Sequence, residues 1–197
     1  MLAVARKRRP HQRLRHSFPC ARVFRPCFRL LGPPSRPDAE DEGFELIGPG
    51  NERPGDAEWR VLYIASGDSG SGERGLPVRQ NPQRLDTMVG KIVRIIPDLN
   101  EHTKTSAVSE NGRYRIPNDN PFTAKPGARK EIWAYGLRNP HRLSWAADPR
   151  NPRYYILIAA VVGLRTWETV DIIRRGSNYG YSQREGNQLL KLDNSTT

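Results

Sequence analysis

The sequence predicts an all-β fold of short antiparallel strands and tight turns. Between Glu131 and Gly186, apolar and aromatic residues alternate in short runs that Gly, Asn and Pro interrupt, a rhythm typical of twisted strands rather than helices. The chain has 197 residues, of which 17 are Gly and 17 are Pro, and these residues end strands and form turns. No apolar run approaches the roughly 18 residues of a membrane-spanning helix, so the sequence predicts no membrane span.

Positive charge is concentrated at the N-terminus. The leader from Met1 to Pro37 contains ten Lys and Arg residues and no Asp or Glu, and it carries ten of the eleven net positive charges. Because Pro, Arg and scattered aromatic residues follow no period there, we expect residues 1–42 to be a disordered or artefactual leader. The alternatives are a basic arm for anionic surfaces or nucleic acid and an Arg-rich targeting segment. The pattern indicates no specific nucleic-acid partner.

The leader lacks the features of a secretory signal. Arg or Pro interrupts every apolar stretch before it reaches the roughly seven to fifteen residues that such a signal needs. The two cysteines, Cys20 and Cys27, match neither zinc-site nor disulfide-framework spacing. These residues therefore leave the localisation open.

An apolar strand is predicted within Leu62–Gly70, "LYIASGDSG". It is followed by Gly70–Gly75, which has the form G-x-G-x-x-G of a dinucleotide-binding turn. Pro77 and Pro82 exclude an uninterrupted helix starting at these glycines, and such a helix is what binds the pyrophosphate. The segment therefore predicts a flexible loop between strands, in which Asp68 caps the turn.

Two later segments are also assigned from composition. The polar segment Pro97–Arg115 has the composition of a surface loop. The run Tyr154–Leu164, "YYILIAAVVGL", is too short to span a membrane and predicts a buried strand.

Several separated motifs together resemble the glucose/sorbosone dehydrogenase family. They are "LYIASGDSG", "MVGKIVRI" at Met88–Ile95, "IPNDNPF" at Ile116–Phe122, "EIWAYGLRNPHRLSW", "WETVDIIRRGSNYGY" and "REG". The resemblance covers roughly residues 43–186. Proteins of this family are six-bladed β-propellers, several of which oxidise sugars with pyrroloquinoline quinone and calcium. The resemblance therefore implies a sugar dehydrogenase-like protein acting on a sugar or another polyol.

The length predicts a partial propeller. A blade takes about 40–50 residues, so residues 43–190 correspond to about three blades of the six, followed by a flexible tail at 191–197. Unpaired strand edges would favour completion by the missing blades or self-association, and we expect weak or no activity from the chain alone. The alternative is a non-catalytic propeller fragment that binds a protein or carbohydrate partner.

The resemblance implies that Arg138 and Asn139 face the quinone. They lie in the turn Gly136–Pro140, which matches the family's G-x-R-N-P motif. A planar guanidinium can hold a carboxylate through two hydrogen bonds, and Asn supplies both a donor and an acceptor. The alternative is that the two residues only close a blade turn.

The resemblance also implies a calcium site with backbone ligands at Gly163, Leu164 and Tyr179. Thr169 occupies the position where the family has a carboxylate, and Glu168 lies one step away on the opposite strand face. Because a neutral hydroxyl is a poor substitute for an anionic oxygen, we expect this site to be weak.

No catalytic residue can be assigned. The family's general base is a His, and Glu40 stands where that His is expected. His141 follows the Arg-Asn-Pro turn but is not the family's base. By resemblance the protein is periplasmic or extracellular, although no signal peptide is visible.

Six aromatic residues recur at strand positions: Trp133, Tyr135, Trp145, Trp167, Tyr179 and Tyr181. We expect them to fill the space between adjacent blades. The alternative is that they stack against a flat cofactor or a sugar.

Overall fold

The fold is built almost entirely from β-strands. The computed structural model describes residues 44–47 and 53–191; the leader predicted over residues 1–42, Glu40 included, and residues 192–197 lie outside them. The strands are β1 (Phe44–Ile47), β2 (Leu62–Ser66), β3 (Lys91–Ile95), β4 (Ser106–Val108), β5 (Arg115–Pro117), β6 (Ile132–Tyr135), β7 (Asn139–Asp148), β8 (Asn151–Val162), β9 (Thr169–Ile173), β10 (Arg184–Glu185) and β11 (Gln188–Leu189). Two short 3-10 helices lie between β2 and β3, at Ser71–Glu73 and Val78–Gln83. Among the described residues, no helix is long and apolar enough to cross a membrane.

The first sheet has four antiparallel strands in the order β1-β2-β3-β6. β2 and β3 pair along their whole length, from Leu62 opposite Ile95 to Ser66 opposite Lys91. Every residue of β3 is buried, as expected for a central strand covered on both faces. A bulge shifts the register of β3 against β6, and such bulges bend a strand and increase its twist.

The second sheet has three antiparallel strands in the order β7-β8-β9. β9 pairs with β8 from Thr169 opposite Val161 to Ile173 opposite Leu157. Side chains alternate between half-buried and exposed along most of β9. Because successive side chains of a strand point to opposite faces, one face of this sheet is covered and the other is open.

The all-β prediction is confirmed. The first sheet has the four antiparallel strands of a propeller blade, and the second sheet has three. Two hairpins, β4–β5 and β10–β11, accompany them. The length predicted about three blades of a partial propeller, and the described residues contain these two sheets and the two hairpins. Residues 96–131 lie between two neighbouring strands of the first sheet and contain the β4–β5 hairpin.

The polar segment Pro97–Arg115 is more structured than the predicted surface loop. It contains β4 and the start of β5, which pair as a hairpin. Arg115 is buried and donates from Nε to Ser106 Oγ at 2.7 Å and from Nη2 to the Ser106 carbonyl at 2.8 Å. These polar contacts hold the hairpin, and apolar periodicity does not reveal them.

The predicted strand at Tyr154–Leu164 is confirmed, but it is not buried throughout. It forms most of β8, in which Leu157 is buried while Tyr154 is 67% and Tyr155 52% exposed. The start of β8 extends past the covered part of the sheet.

The hydrophobic core lies between the two sheets. It comprises Val61, Tyr63, Ala65, Ile92, Ile96, Ala134, Leu137, Leu143, Leu157, Ala159, Val161 and Ile173. The Tyr63 ring meets Trp133 and Trp145 edge-on, with centroid distances of 5.5 and 5.2 Å. Such pairs contribute about 0.5–1.5 kcal/mol each beyond the burial of their surface. The expected packing role of Trp133 and Trp145 is therefore confirmed.

Arg94 is a charged residue inside the first sheet. Its side chain is 5% exposed and forms ion pairs with Glu58 at 2.9 Å and Asp119 at 2.8 Å. The guanidinium also lies over the Trp133 ring, 5.0 Å from its centroid. The two carboxylates and the aromatic face compensate the buried charge, so Arg94 ties two loops to the sheet.

Candidate functional site

A cavity of about 80 Å³ lies where the turn after β6 meets the end of β8 and the start of β9. It brings together four of the positions that the resemblance singled out: Arg138, Gly163, Thr169 and Tyr179. Asn139 and Leu164 adjoin two of them in the chain but are not among the lining residues. The cofactor-binding and calcium-binding roles of these residues stay predictions.

The turn that carries Arg138 is anchored to two neighbouring loops. The Gly136 N–H donates to the Pro82 carbonyl at 3.0 Å, and the Asp68 N–H donates to the Arg138 carbonyl at 2.7 Å. Gly136 has a φ of +74°, and a Cβ atom there would collide with the Asn178 side chain. Only glycine satisfies both conditions. The backbone of this turn therefore sets the position of the Arg138 Cα atom, from which the side chain extends.

The Arg138 guanidinium has unmet hydrogen-bonding capacity. Its Nε atom is buried and has no hydrogen-bond partner within the part of the chain that the structure describes. Leaving a buried donor unsatisfied costs about 1–3 kcal/mol, which an anionic ligand would relieve. Arg184 lines the same cavity. Two guanidinium groups fit a ligand that carries carboxylates.

The cavity is small compared with typical ligand-binding pockets. Its volume of about 80 Å³ is well below the roughly 300–1,000 Å³ of typical small-molecule pockets. The cavity that the described residues form is therefore too small to enclose a small-molecule ligand by itself.

Glu185 organises the loop between β8 and β9. It is 3% exposed and accepts hydrogen bonds from the Arg165 N–H at 2.6 Å, the Thr166 N–H at 3.2 Å and the Thr166 hydroxyl at 3.1 Å. Burial raises the pKa of Glu185, but these hydrogen bonds outweigh burial and bring the pKa below its usual value. A Cβ atom on Gly163 would lie 2.7 Å from Glu185 Oε1 and collide with the Trp167 carbonyl, so the loop requires a glycine there.

Local residue patterns predict no role for Glu185. The only available signal was its place in the "REG" motif that contributed to the resemblance. Its partners lie 19 and 20 residues away in the chain, a separation that local patterns do not reveal.

Thr169 and Asp171 lie on the cavity-facing side of β9. The Thr169 hydroxyl donates to Asp171 Oδ2 at 2.9 Å, and both residues line the cavity. Glu168 is exposed and does not line it, in agreement with its predicted position on the opposite face. Burial raises the pKa of Asp171, and the hydrogen bond from Thr169 lowers it in part.

Backbone oxygens are available around the cavity. Among the backbone–backbone hydrogen bonds of turns and loops in the described residues, none ends on the carbonyl oxygens of Gly163, Leu164 or Tyr179. In the same part of the chain, no group of three or more His, Cys, Asp or Glu side chains is arranged to hold a metal. Calcium binds carbonyl and carboxylate oxygens, so these donors fit calcium only as a site based largely on carbonyls.

The glycine-rich segment forms a capped turn, as predicted. Asp68 is buried and accepts hydrogen bonds from the Gly70 N–H at 3.1 Å, the Gly72 N–H at 2.9 Å and the Ser71 hydroxyl at 3.1 Å. The Tyr181 hydroxyl donates to the same carboxylate at 3.0 Å, and burial raises the pKa of Tyr181. Asp68 therefore connects the loop after β2 to a residue of the cavity wall, a contact across 113 residues that sequence analysis did not predict.

The histidines of the described residues do not point to a catalytic base. His102 contacts the Trp59 carbonyl through Nε2 at 2.6 Å, so it is engaged in the fold. His141 lies on β7 and is not among the residues that line the cavity. The position of the catalytic residue thus stays open.

The sequence of the chain is similar to those of known proteins. The family model described as glucose/sorbosone dehydrogenase matches residues 56–191. HIPL1 protein of Arabidopsis thaliana is 38% identical over 135 residues, which is 68% of this chain and 18% of that protein. Aldose sugar dehydrogenase YliI of Escherichia coli (strain K12) is 33% identical over 120 residues, which is 61% of this chain and 25% of that protein.

A solved structure agrees with the fold. A protein from Thermus thermophilus described as a glucose dehydrogenase superposes with a TM-score of 0.51 and 25% identity, covering 79% of this chain and 38% of that one. The chain thus spans 18% and 25% of the length of the two relatives above and 38% of this solved chain.

Proposed function

The chain belongs to the glucose/sorbosone dehydrogenase family, and we propose that it supplies one wall of a sugar dehydrogenase site that uses pyrroloquinoline quinone and calcium. The observation that carries this proposal is that Arg138 and Arg184 line one cavity together with Gly163 and Tyr179. The Arg138 Nε atom is also buried and has no partner among the residues that the structure describes. The quinone, when bound, supplies the two-electron acceptor for oxidation of a sugar or polyol hydroxyl group. The chain's own residues bind and orient the reactants.

The roles of the individual residues follow from their chemistry. Arg138 would hold a carboxylate of the quinone, with Asn139 next to it in the turn. The backbone carbonyls of Gly163, Leu164 and Tyr179 would hold calcium, because hard cations prefer oxygen ligands. Weak activity is expected from the chain alone, since the cavity is small and none of the described histidines lines it.

Cofactor titration tests the proposal. We expect pyrroloquinoline quinone with calcium to shift the melting temperature and the quinone absorbance, because a ligand of the folded state stabilises it by mass action. Arg138→Ala should abolish both shifts. Arg142→Ala is the matched control, since Arg142 is exposed on β7 and does not line the cavity. Absence of any shift in the parent at saturating cofactor would contradict the proposal.

A second candidate function is non-catalytic binding of a partner through the second sheet. It is favoured by the open face of that sheet, where Val170 is 61% and Ile172 50% exposed. Exposed neighbouring apolar side chains on a strand edge favour association. Concentration-dependent association with no response to the quinone would support this candidate over the first.

A further inference from the structure

β9 presents a carboxylate two residues beyond the position where the family's carboxylate is expected. Residues 169 and 171 share one face of the strand, because side chains alternate along it. Both line the cavity, and the Thr169 hydroxyl donates to Asp171 Oδ2 at 2.9 Å. This face therefore has an anionic oxygen although residue 169 is neutral.

Asp171 has no direct ion-pair partner among the described residues, although Arg138 and Arg184 line the same cavity. Within the described residues, the Thr169 hydroxyl is its one side-chain hydrogen-bond donor, and no ion pair involves Asp171. The carboxylate is half-buried, and burying an uncompensated charge is unfavourable. A cation bound beside it would stabilise the carboxylate.

The neighbouring carboxylates are less suited to bind a cation. Glu185 already accepts hydrogen bonds from two backbone N–H groups and a hydroxyl. Glu168 is exposed and does not line the cavity. Of these three carboxylates, only that of Asp171 both lines the cavity and has an oxygen that accepts no hydrogen bond from the described residues.

We infer that Asp171 is the anionic ligand of the calcium site, which the backbone carbonyls of Gly163 and Tyr179 complete. This inference rests on the proposed function and names a ligand for it that correspondence with the family would place at Thr169. Charge count sets calcium affinity over several orders of magnitude. One carboxylate with neutral carbonyls therefore predicts a weak site, with a dissociation constant of about 0.1–1 mM.

Calcium binding to the full chain tests the inference directly. We would measure it by calorimetry and by the luminescence of terbium as a calcium substitute, excited through Trp167, which lines the cavity. Asp171→Asn keeps the shape of the side chain and an acceptor for Thr169 but removes the charge, and it should weaken calcium binding about tenfold or more. Glu168→Gln removes the same charge from the exposed face, and its affinity should equal that of the parent.

A rescue variant shows whether the two positions face the same ion. Thr169→Glu restores a carboxylate at the family position, so it should recover calcium binding in the Asp171→Asn background. Unchanged affinity in Asp171→Asn, or equal losses in Asp171→Asn and Glu168→Gln, would overturn the inference. Absence of calcium binding by the parent at millimolar concentration would overturn it too.

The quinone titration, run on the same samples, separates this inference from the proposed function. Arg138-dependent quinone binding together with unchanged calcium affinity in Asp171→Asn would overturn the inference and leave the proposed function standing. Asp171-dependent calcium binding without quinone binding would support the inference and contradict the proposed function. If the parent binds neither calcium nor the quinone, the inference and the proposed function are both contradicted.

Discussion

The two sheets of this protein differ in how completely their strands are covered. In the first sheet, β3 lies between β2 and β6, every one of its residues is buried, and Arg94 bridges the sheet to two loops. In the second sheet, β9 pairs only with β8 among the described residues, and Val170 and Ile172 are exposed on its open face.

Because of this difference, we expect the first sheet to contribute mainly to stability and the second sheet mainly to binding. Covered strands with ion-paired charges hold the fold together, whereas free strand edges and open faces are where ligands and partners bind. The candidate cavity lies at the end of the second sheet, next to the Arg138 donor. Substitutions in the first sheet should therefore mainly change the free energy of unfolding, and substitutions in the second should mainly change binding and association.

The largest effect is expected from Arg94→Ala in the first sheet. The substitution leaves Glu58 without its buried cation and removes the contact with the Trp133 ring, so we expect a loss of about 3 kcal/mol in the free energy of unfolding. Urea unfolding monitored by fluorescence measures it. Arg142→Ala on the exposed side of β7 is the control and should change stability by no more than about 0.5 kcal/mol. Equal losses in the two variants would remove the proposed distinction between the sheets.

Gly163→Ala should have the next largest effect. The added Cβ atom would collide with the Trp167 carbonyl and approach Glu185 Oε1 to 2.7 Å, and forced repacking of this kind costs about 1–3 kcal/mol. We expect a lower melting temperature and an altered Trp167 emission spectrum, because the loop must move. Gly75→Ala is a suitable control, since nothing among the described residues lies within 4 Å of its Cβ position. Retention of the parent's stability and spectrum in Gly163→Ala would mean that the loop is not packed as described.

How much of this organisation can be predicted from sequence depends on the kind of contact. Apolar alternation and turn residues predict the all-β fold, and the strand–glycine motif predicts the Asp68 cap. The β4–β5 hairpin was missed because its buried partners are polar, Arg115 and Ser106. The convergence of Arg138, Gly163 and Tyr179 was expected only through the family resemblance.

The role of Glu185 could not be predicted for a different reason. Its carboxylate binds backbone N–H groups at Arg165 and Thr166, and backbone donors carry no side-chain signature. The Asp68–Tyr181 hydrogen bond likewise depends on how two distant loops meet, which local residue patterns do not specify.

Lys91 gives the first sheet a pH-dependent stability. The residue is 0% exposed, and its ammonium donates to the carbonyls of Asn81, Pro82 and Val89 at 3.1, 2.9 and 2.7 Å. Burial lowers the pKa of Lys91 from 10.5 to about 7. The folded protein then binds fewer protons than the unfolded chain between these two pH values, so the free energy of unfolding rises with pH there, by about 1 kcal/mol per pH unit.

Urea unfolding at pH values of about 6.5, 8 and 9.5, which begin just below that window and sample most of it, would measure this dependence, and Lys91→Met should flatten it. Lys130→Met is the control, because Lys130 is exposed and its removal should leave the slope unchanged. If the stability of the parent does not change over this pH range, the expected pKa is wrong. The three carbonyl partners would then keep the Lys91 ammonium charged throughout the range.

The smallest effect on stability, and a clear effect on association, is expected from Val170→Thr combined with Ile172→Thr. Both side chains are exposed on the open face of the second sheet, and threonine keeps the β-branched shape that strands favour, so stability should change by no more than about 0.5 kcal/mol. Removing exposed apolar surface beside a free strand edge should weaken self-association. Analytical ultracentrifugation over a concentration series compares the double variant with Val108→Thr, which removes a similarly exposed side chain from β4. Identical sedimentation of the parent and both variants would mean that the open face of the second sheet does not drive association.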